Sequence, residues 1–248
     1  MWLVAVNPTS GNGRGALVAT RVFSYLDSKN ADYIRVEGSS AQDLLKQLNN
    51  LLDSGQYQGV FSIGGDGLAH LIFQSCIPRQ VPFAIVPAGT GNDFVRTLGW
   101  SLENYELFID RVLNEEPQSI DMGNVDSEWF GAILSTGFDS VVNERANQLK
   151  WPKGPSRYNA AIALELPRFT PIEYTITADS TTFTTEAMLI AIGNGKSYGG
   201  GMNVCPQANI TDGLFDLMIL EPVSKVEFLK TFPKVYSGTH ISHPKVRT

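Results

Sequence analysis

The sequence predicts an α/β protein: an α/β unit with a mainly parallel sheet over residues 1–118, then an antiparallel β-rich unit over residues 119–248. Three observations carry that expectation. Residues 1–118 alternate short apolar runs with stretches of helical period, the order that builds a parallel sheet covered by helices. Within that half, two apolar runs end abruptly in glycines and an aspartate. Residues 60–63 run into Gly64-Gly65-Asp66-Gly67, and residues 83–87 run into Ala88-Gly89-Thr90-Gly91-Asn92-Asp93. From Ser119 onward the apolar segments are instead rich in β-branched and aromatic residues, which suit half-buried strands.

Taken in order, residues 2–6 (WLVAV) read as a first strand, and Asn7 to Gly15 as a glycine-rich turn. Residues 16–28 place Leu17, Val18, Val22, Phe23 and Leu26 at helical spacing. Residues 33–36 are a second strand. Ser39 or Ser40 caps the next helix, whose Leu44, Leu45, Leu48 and Leu52 share a face. The two strand–glycine–helix units follow, and residues 102–114 form an amphipathic helix closed by Glu115-Glu116-Pro117. In the second half, strands are expected at 120–125, 129–135, 172–177, 182–192 and 214–220. Two helices, at 140–148 and 157–166, interrupt them, and 225–235 closes the series as a helix.

The chain of 248 residues is long enough for a substantial core. Its net charge of −6 provides no basic field for a nucleic-acid backbone, so nucleic acid is not an expected partner. Cys76 and Cys205 sit in no metal-ligand spacing and read as free thiols of a reducing compartment. No basic leader precedes the first apolar run, which is five residues long, and no later run approaches spanning length. The expected location is cytoplasmic, with peripheral contact at the inner membrane face.

The glycine turns carry the chemistry. A buried strand that stops at such a turn and enters a helix leaves main-chain N–H groups pointing outward, and phosphate suits them. In a parallel sheet, ligands sit beyond the carboxyl ends of the strands. Asn7-Pro8-Thr9-Ser10-Gly11-Asn12-Gly13-Arg14-Gly15 has that context but no Lys-Ser/Thr pair to close a Walker-type loop. An aspartate among phosphate-binding amides repels its ligand unless a cation intervenes, which points to Mg²⁺ at Asp66 and Asp93. The alternative is that both acids merely cap helices. Residues 190–217 are equally dense, with Gly199-Gly200-Gly201 after Ser197-Tyr198 and with Asp212-Gly213, which on its own reads as a hairpin turn between Ile210 and Phe215. Leu149 to Tyr158, containing Lys150, Trp151, Lys153 and Arg157, is the one basic-aromatic stretch. It reads as a solvated loop, with anionic headgroup contact as the alternative.

The ordered set NPTSGNGRG, GGDG, PAGTGNDF, STGFDS, NGKSYGGGM and P-x-A-x3-DGLFD resembles the diacylglycerol kinase catalytic-domain family, which includes bacterial lipid kinases and sphingosine kinases. That resemblance implies an NAD-kinase-like nucleotide domain followed by a β-sandwich-like lipid domain, with the apolar substrate between them. It implies phosphorylation of a lipid hydroxyl by ATP with Mg²⁺. Residue by residue, it places nucleotide contacts at Asn7, Ser10, Gly11, Ser39, Gly64, Gly65, Asp66, Gly67, Gly89, Thr90, Asn92 and Asp93. Asp66, which also serves as the catalytic candidate, joins Asp93, Asp121 and Asp212 in an acidic set around metal and phosphates. A structural Mg²⁺ falls at Asn209, Asp212 and Leu214. Partners implied are the nucleotide, the lipid, a transient membrane surface and a second copy in a homodimer.

Two departures qualify the resemblance. Relatives follow GGDG with Thr and then a polar pair, whereas this chain has Leu68-Ala69-His70-Leu71. Relatives also carry an Asp-Gly-Glu motif, source of the general base, beyond the segment matching Gly238-Thr239-His240 to Val246. This chain stops at Thr248, which reads as a shortened product or a degenerate member, with the last strands of the β unit missing. A nucleotide-binding pseudokinase and an NAD-kinase-like enzyme are the rival readings.

Overall fold

The computed structural model describes residues 1–100, 104–152 and 155–248. Leu102, at the start of the expected helix 102–114, lies outside them, as do Lys153 and Gly154 of the basic-aromatic stretch. The chain divides into two compact units. The first comprises Met1–Ala132 with two returning segments, Tyr198–Gly201 and Ile210–Gly213; the second comprises Ile133–Ser197, Met202–Asn209 and Leu214–Thr248.

In the first unit, β1 (Trp2–Val6), β2 (Tyr33–Val36), β3 (Gly59–Gly64) and β4 (Phe83–Pro87) form a parallel sheet of order β2-β1-β3-β4. Every residue of β1 and β3 is buried, as expected for strands covered on both faces. Alternation sorts β1 between two cores. Trp2, Val4 and Val6 join Phe61 and Ile63 beneath α1 (Ser10–Ser28), which supplies Val18, Val22 and Leu26. Leu3 and Ala5 face α2 (Ala41–Ser54), which supplies Leu44, Leu48 and Leu52. α3 (Asp66–Cys76) adds Leu68 and Ile72 to that second core. α4 (Asp93–Thr97) follows β4, and α5 (Tyr105–Asn114) packs Phe108 and Ile109 into the α1 core. α1 is kinked within its first residues, where Gly11, Asn12 and Gly13 have φ of 57, 59 and 92°.

The first unit extends past Ser119, where the sequence texture changes. The hairpin β5 (Gly123–Val125) and β6 (Glu128–Phe130) docks on α3 because the Gln74 side chain bonds the Trp129 main chain twice. Its Nε2 donates to the carbonyl at 2.8 Å, and its Oε1 accepts from the amide at 2.9 Å. Ile120, Met122 and Trp129 also pack against the Phe73–Phe94 cluster.

The second unit contains an antiparallel sheet of order β12-β11-β10-β7, built from β7 (Ile133–Gly137), β10 (Leu189–Gly193), β11 (Asp216–Leu220) and β12 (Val246–Arg247). A separate hairpin, β8 (Ile172–Ala178) and β9 (Thr181–Ala187), lays Tyr174, Ile176 and Phe183 against Ile190 and Ile219 of that sheet. α6 (Phe138–Gln148) and α7 (Pro155–Glu165) are joined by the Arg145–Glu165 ion pair and share a core with Phe228 of α8 (Lys225–Thr231).

Three expectations are corrected here. The run 182–192 is not one strand: it breaks at Met188, whose amide bonds Leu220 O, and its halves enter different sheets. Residues 232–235 leave the α-helix as a 3₁₀ turn with Pro233 near its start, whose ring permits helix entry but not continuation. Asp212-Gly213 is not a hairpin turn between adjacent strands, because β10 ends at Gly193 and its partner β11 begins at Asp216.

Leu48 is fully buried in the α2–sheet core. Leu48→Ala is expected to destabilise the first unit by about 2–5 kcal/mol, read as a lower urea midpoint with an unchanged circular dichroism spectrum.

Candidate functional site

Because β1, β3 and β4 run parallel, their carboxyl ends bring three turns to one sheet edge. Main-chain bonds stitch the turns together: Asn7 N donates to Ile63 O at 3.0 Å, and Ala88 N to Gly64 O at 2.6 Å. Gly65 and Gly89 touch through their backbones. A Cβ on Gly89 would stand 2.6 Å from the Gly65 Cα, and one on Gly65 would stand 3.1 Å from the Gly89 Cα and 3.3 Å from Ser10 Oγ. A side chain on Gly11 would run into the Ala88 carbonyl. The glycines of these turns are therefore required by contact between loops, and not only by turn geometry.

At this edge α3 begins with Gly65 as its N-cap and no side-chain cap. Asp66 and Gly67 lie in its first turn, where the amides have no intrahelical acceptor. Neither aspartate is a cap: Asp66 and Asp93 are the first residues of their helices, and Asn92 precedes Asp93 in the left-handed region at φ 55°.

The two carboxylates are instead spent on other loops. Asp66 faces the start of α4 and accepts from the Phe94 amide at 3.4 Å, with the nearby amides of Asn92 and Asp93 also favouring its charged form. The residue is exposed on one side, while the overlying 91–94 backbone screens its carboxyl from water. That partial burial raises the Asp66 carboxyl above the ordinary value, the negative charge of Asp93 raises it further, and the three amides oppose both. Asp93 is 7 % exposed. Its Oδ2 accepts from Gly200 N at 2.7 Å and its Oδ1 from Gly201 N at 2.8 Å, while Arg96 Nη1 lies 3.1 Å from Oδ1 and 2.6 Å from Gly91 O. Gly199, Gly200 and Gly201 all have positive φ (62, 81 and 101°), the conformation that turns two successive amides toward one acceptor. Asp121 performs a similar task, accepting from Gly213 N at 2.7 Å while its own amide donates to Ile210 O.

The other expected residues divide. Asn92 closes its loop on Gly89, with its Oδ1 3.1 Å from Gly89 N and its Nδ2 2.9 Å from Gly89 O. Thr90 is exposed at the tip. Asn7 Oδ1 is taken by Thr9 N and Oγ1. Ser40 is the cap of α2, and Ser39 Oγ donates to Asp43 at 2.9 Å. Asn209, Asp212 and Leu214 lie on the connection between β10 and β11; one carboxylate and two carbonyls are the oxygen donors that Mg²⁺ takes. Among the described residues no group of three or more His, Cys, Asp or Glu could hold a metal. Leu68, at 4 % exposure, and Leu71 pack into the α2 core, while exposed His70 lies 3.9 Å from Glu128. Sequence reading missed Arg96; its place three residues after Asp93, at a helix start, was the available signal.

Comparison with known proteins now bears on the chain. The pattern of the diacylglycerol kinase catalytic domain matches residues 1–125, and that of the YegS C-terminal NAD kinase beta sandwich-like domain matches residues 132–248. A diacylglycerol kinase of Mycobacterium tuberculosis is 34 % identical over 248 residues, covering 98 % of this chain and 80 % of that protein. The chain belongs to the diacylglycerol kinase catalytic-domain family. As a member it is a lipid kinase, a phosphotransferase. A diacylglycerol kinase of Bacillus subtilis is 30 % identical over 190 residues, covering 75 % of this chain and 63 % of that protein. A crystal structure of a Bacillus anthracis diacylglycerol kinase aligns with a TM-score of 0.70 at 21 % identity, over 92 % of this chain and 75 % of that one, and so shares the fold. Within this kinase fold no described helix is long and apolar enough to cross a membrane.

Asp93→Asn presents an NH₂ group to one of two glycine amides. It is expected to cost about 1.5–3 kcal/mol in urea unfolding. Asp66 gives a pH signature. Its folded-state value lies above the unfolded one, so its contribution to stability is fullest below about pH 4 and is lost as pH rises through the folded value. The melting temperature of Asp66→Asn relative to the unsubstituted protein should therefore climb between about pH 4 and pH 7, in thermal scans at fixed ionic strength.

Proposed function

We propose that the chain transfers the γ-phosphoryl group of ATP to the hydroxyl of a diacylglycerol-like or other long-chain lipid, with Mg²⁺. The observation that carries this reading is the interlocked edge formed by the turns after β1, β3 and β4, with the bare first-turn amides of α3 at its centre. Phosphoryl transfer depends mainly on positioning and charge neutralisation, which such an edge supplies to a triphosphate.

In this reading the amides of Gly65, Asp66 and Gly67 hold phosphate oxygens, and Ser10, Gly11, Gly89, Thr90 and Asn92 complete the wall. Ser39 and Asn7 contribute through the backbone, their side chains being engaged locally. Asp93 stands behind this wall and keeps the 89–93 loop against Gly200 and Gly201. Asp66 presents the one half-open carboxylate of the edge, beside a second anion. Its chemistry suits a hydrated cation, whereas Asp93, already holding two amides and Arg96, does not. Asn209, Asp212 and Leu214 would hold a structural Mg²⁺. Bound magnesium supplies neutralisation of phosphate charge. Lipid access implies transient contact with the cytoplasmic membrane face, and we extend the reading to a homodimer on family grounds.

A second reading, a catalytically impaired nucleotide-binding relative, is favoured by one observation: Leu68 is buried in the α2 core and Leu71 packs against it, at positions where the resemblance implies polar groups.

Incubation with labelled ATP, Mg²⁺ and mixed long-chain alcohols, followed by thin-layer separation, tests both. A phosphorylated lipid that vanishes with EDTA is expected. Nucleotide binding without any lipid product would favour the impaired relative, and neither binding nor product would overturn the proposal. Gly89→Ala, whose Cβ would displace the Gly65 backbone, should lower turnover by about tenfold or more.

A further inference from the structure

His240 lies outside every site discussed so far. It is 3 % exposed, in the 3₁₀ turn Thr239–Ser242. Its Nε2 is 3.0 Å from the Val204 carbonyl, and its Nδ1 is buried with no partner. A carbonyl only accepts, so the ring carries a hydrogen on Nε2; burial pushes the imidazole below the ordinary histidine value and favours the neutral ring. Two further features bind the same pair of segments. Asn203 N donates to Val235 O at 2.9 Å. Gly238, at φ 71°, lets the turn approach so closely that a Cβ there would stand 3.0 Å from both Asn203 Nδ2 and Pro206 Cβ.

The clasped segment has a particular place in the chain. Met202–Asn209 belongs to the second unit but is flanked on both sides by segments of the first, Tyr198–Gly201 and Ile210–Gly213. Only two residues separate Val204 from Gly201, whose amide binds Asp93. We propose that His240 is a positioning residue of the nucleotide site, holding through Val204 the segment whose two ends carry the amides clasping Asp93 and Asp121. The proposal rests on the functional reading above for its effect on ATP, but not for its effect on the loop.

The test compares His240→Phe, which keeps the bulk and loses the donor, with His240→Gln, which retains an N–H donor. Amide hydrogen exchange is read on peptides covering 198–204, with β1 and β3 peptides as reference. His240→Phe should speed exchange at 198–204 by about tenfold, as one lost hydrogen bond allows, and raise the KM for ATP more than it lowers kcat. His240→Gln should restore most of both. Gly238→Ala, which forces the same two segments apart, should reproduce the exchange result and decides the matter if His240→Phe does not fold. Unchanged exchange at 198–204 in a folded donor-less or Gly238 variant would overturn the proposal. A protein with no ATP-dependent turnover at all would instead overturn the functional reading, while the exchange result still tests the clasp.

Discussion

The functional edge depends on one recurring interaction: a carboxylate on one segment satisfying main-chain amides of another. Asp66 reaches from α3 to the start of α4, Asp93 from α4 to Gly200 and Gly201, and Asp121 to Gly213. Charge-assisted bonds to amides are stronger than neutral ones. Each acid thus fixes a loop that has almost no side chains of its own to pack. Glycine-rich turns are needed where backbones must approach a ligand, yet glycines give a loop nothing hydrophobic to anchor. The aspartates supply the missing anchors. The cost is visible in Asp66, where partial burial and the neighbouring Asp93 charge both disfavour ionisation.

Much of the architecture was legible because it follows local rules. β1 and β2 fall on their expected residues, and the leucines of α2 line one face beneath a Ser40 cap. Fully apolar strands ending in glycine announced the parallel sheet, and the β-branched runs announced the antiparallel one. What remained hidden was decided by distant partners. Nothing near residues 119–132 says that Gln74 will complete the hydrogen bonds of Trp129 and draw that hairpin onto the first unit. The run 182–192 has no turn residue at Met188, yet its halves pair with different strands.

The same limit explains the reading of the acids. An aspartate at a strand–glycine–helix junction suggests either a cap or a metal ligand, because those are its uses within a few residues. Asp93 does not cap its helix; besides Arg96 three residues on, its partners lie more than a hundred residues away, in a triple glycine whose purpose is opaque on its own. With both ends in view, the positive φ of Gly199, Gly200 and Gly201 and the buried carboxylate explain each other.

The departure after GGDG acquires a physical meaning in this light. Leu68 sits two residues into the first turn of α3, where its side chain joins Leu44, Leu48 and Leu52 and also closes against Gly64, since a Cβ on that glycine would stand 2.8 Å from the Leu68 Cδ2. The leucine turns inward and fills the junction between β3 and α3. A grip built from main-chain donors loses little when a side-chain donor is removed, provided those donors stay in register, and the buried leucine helps to keep them there.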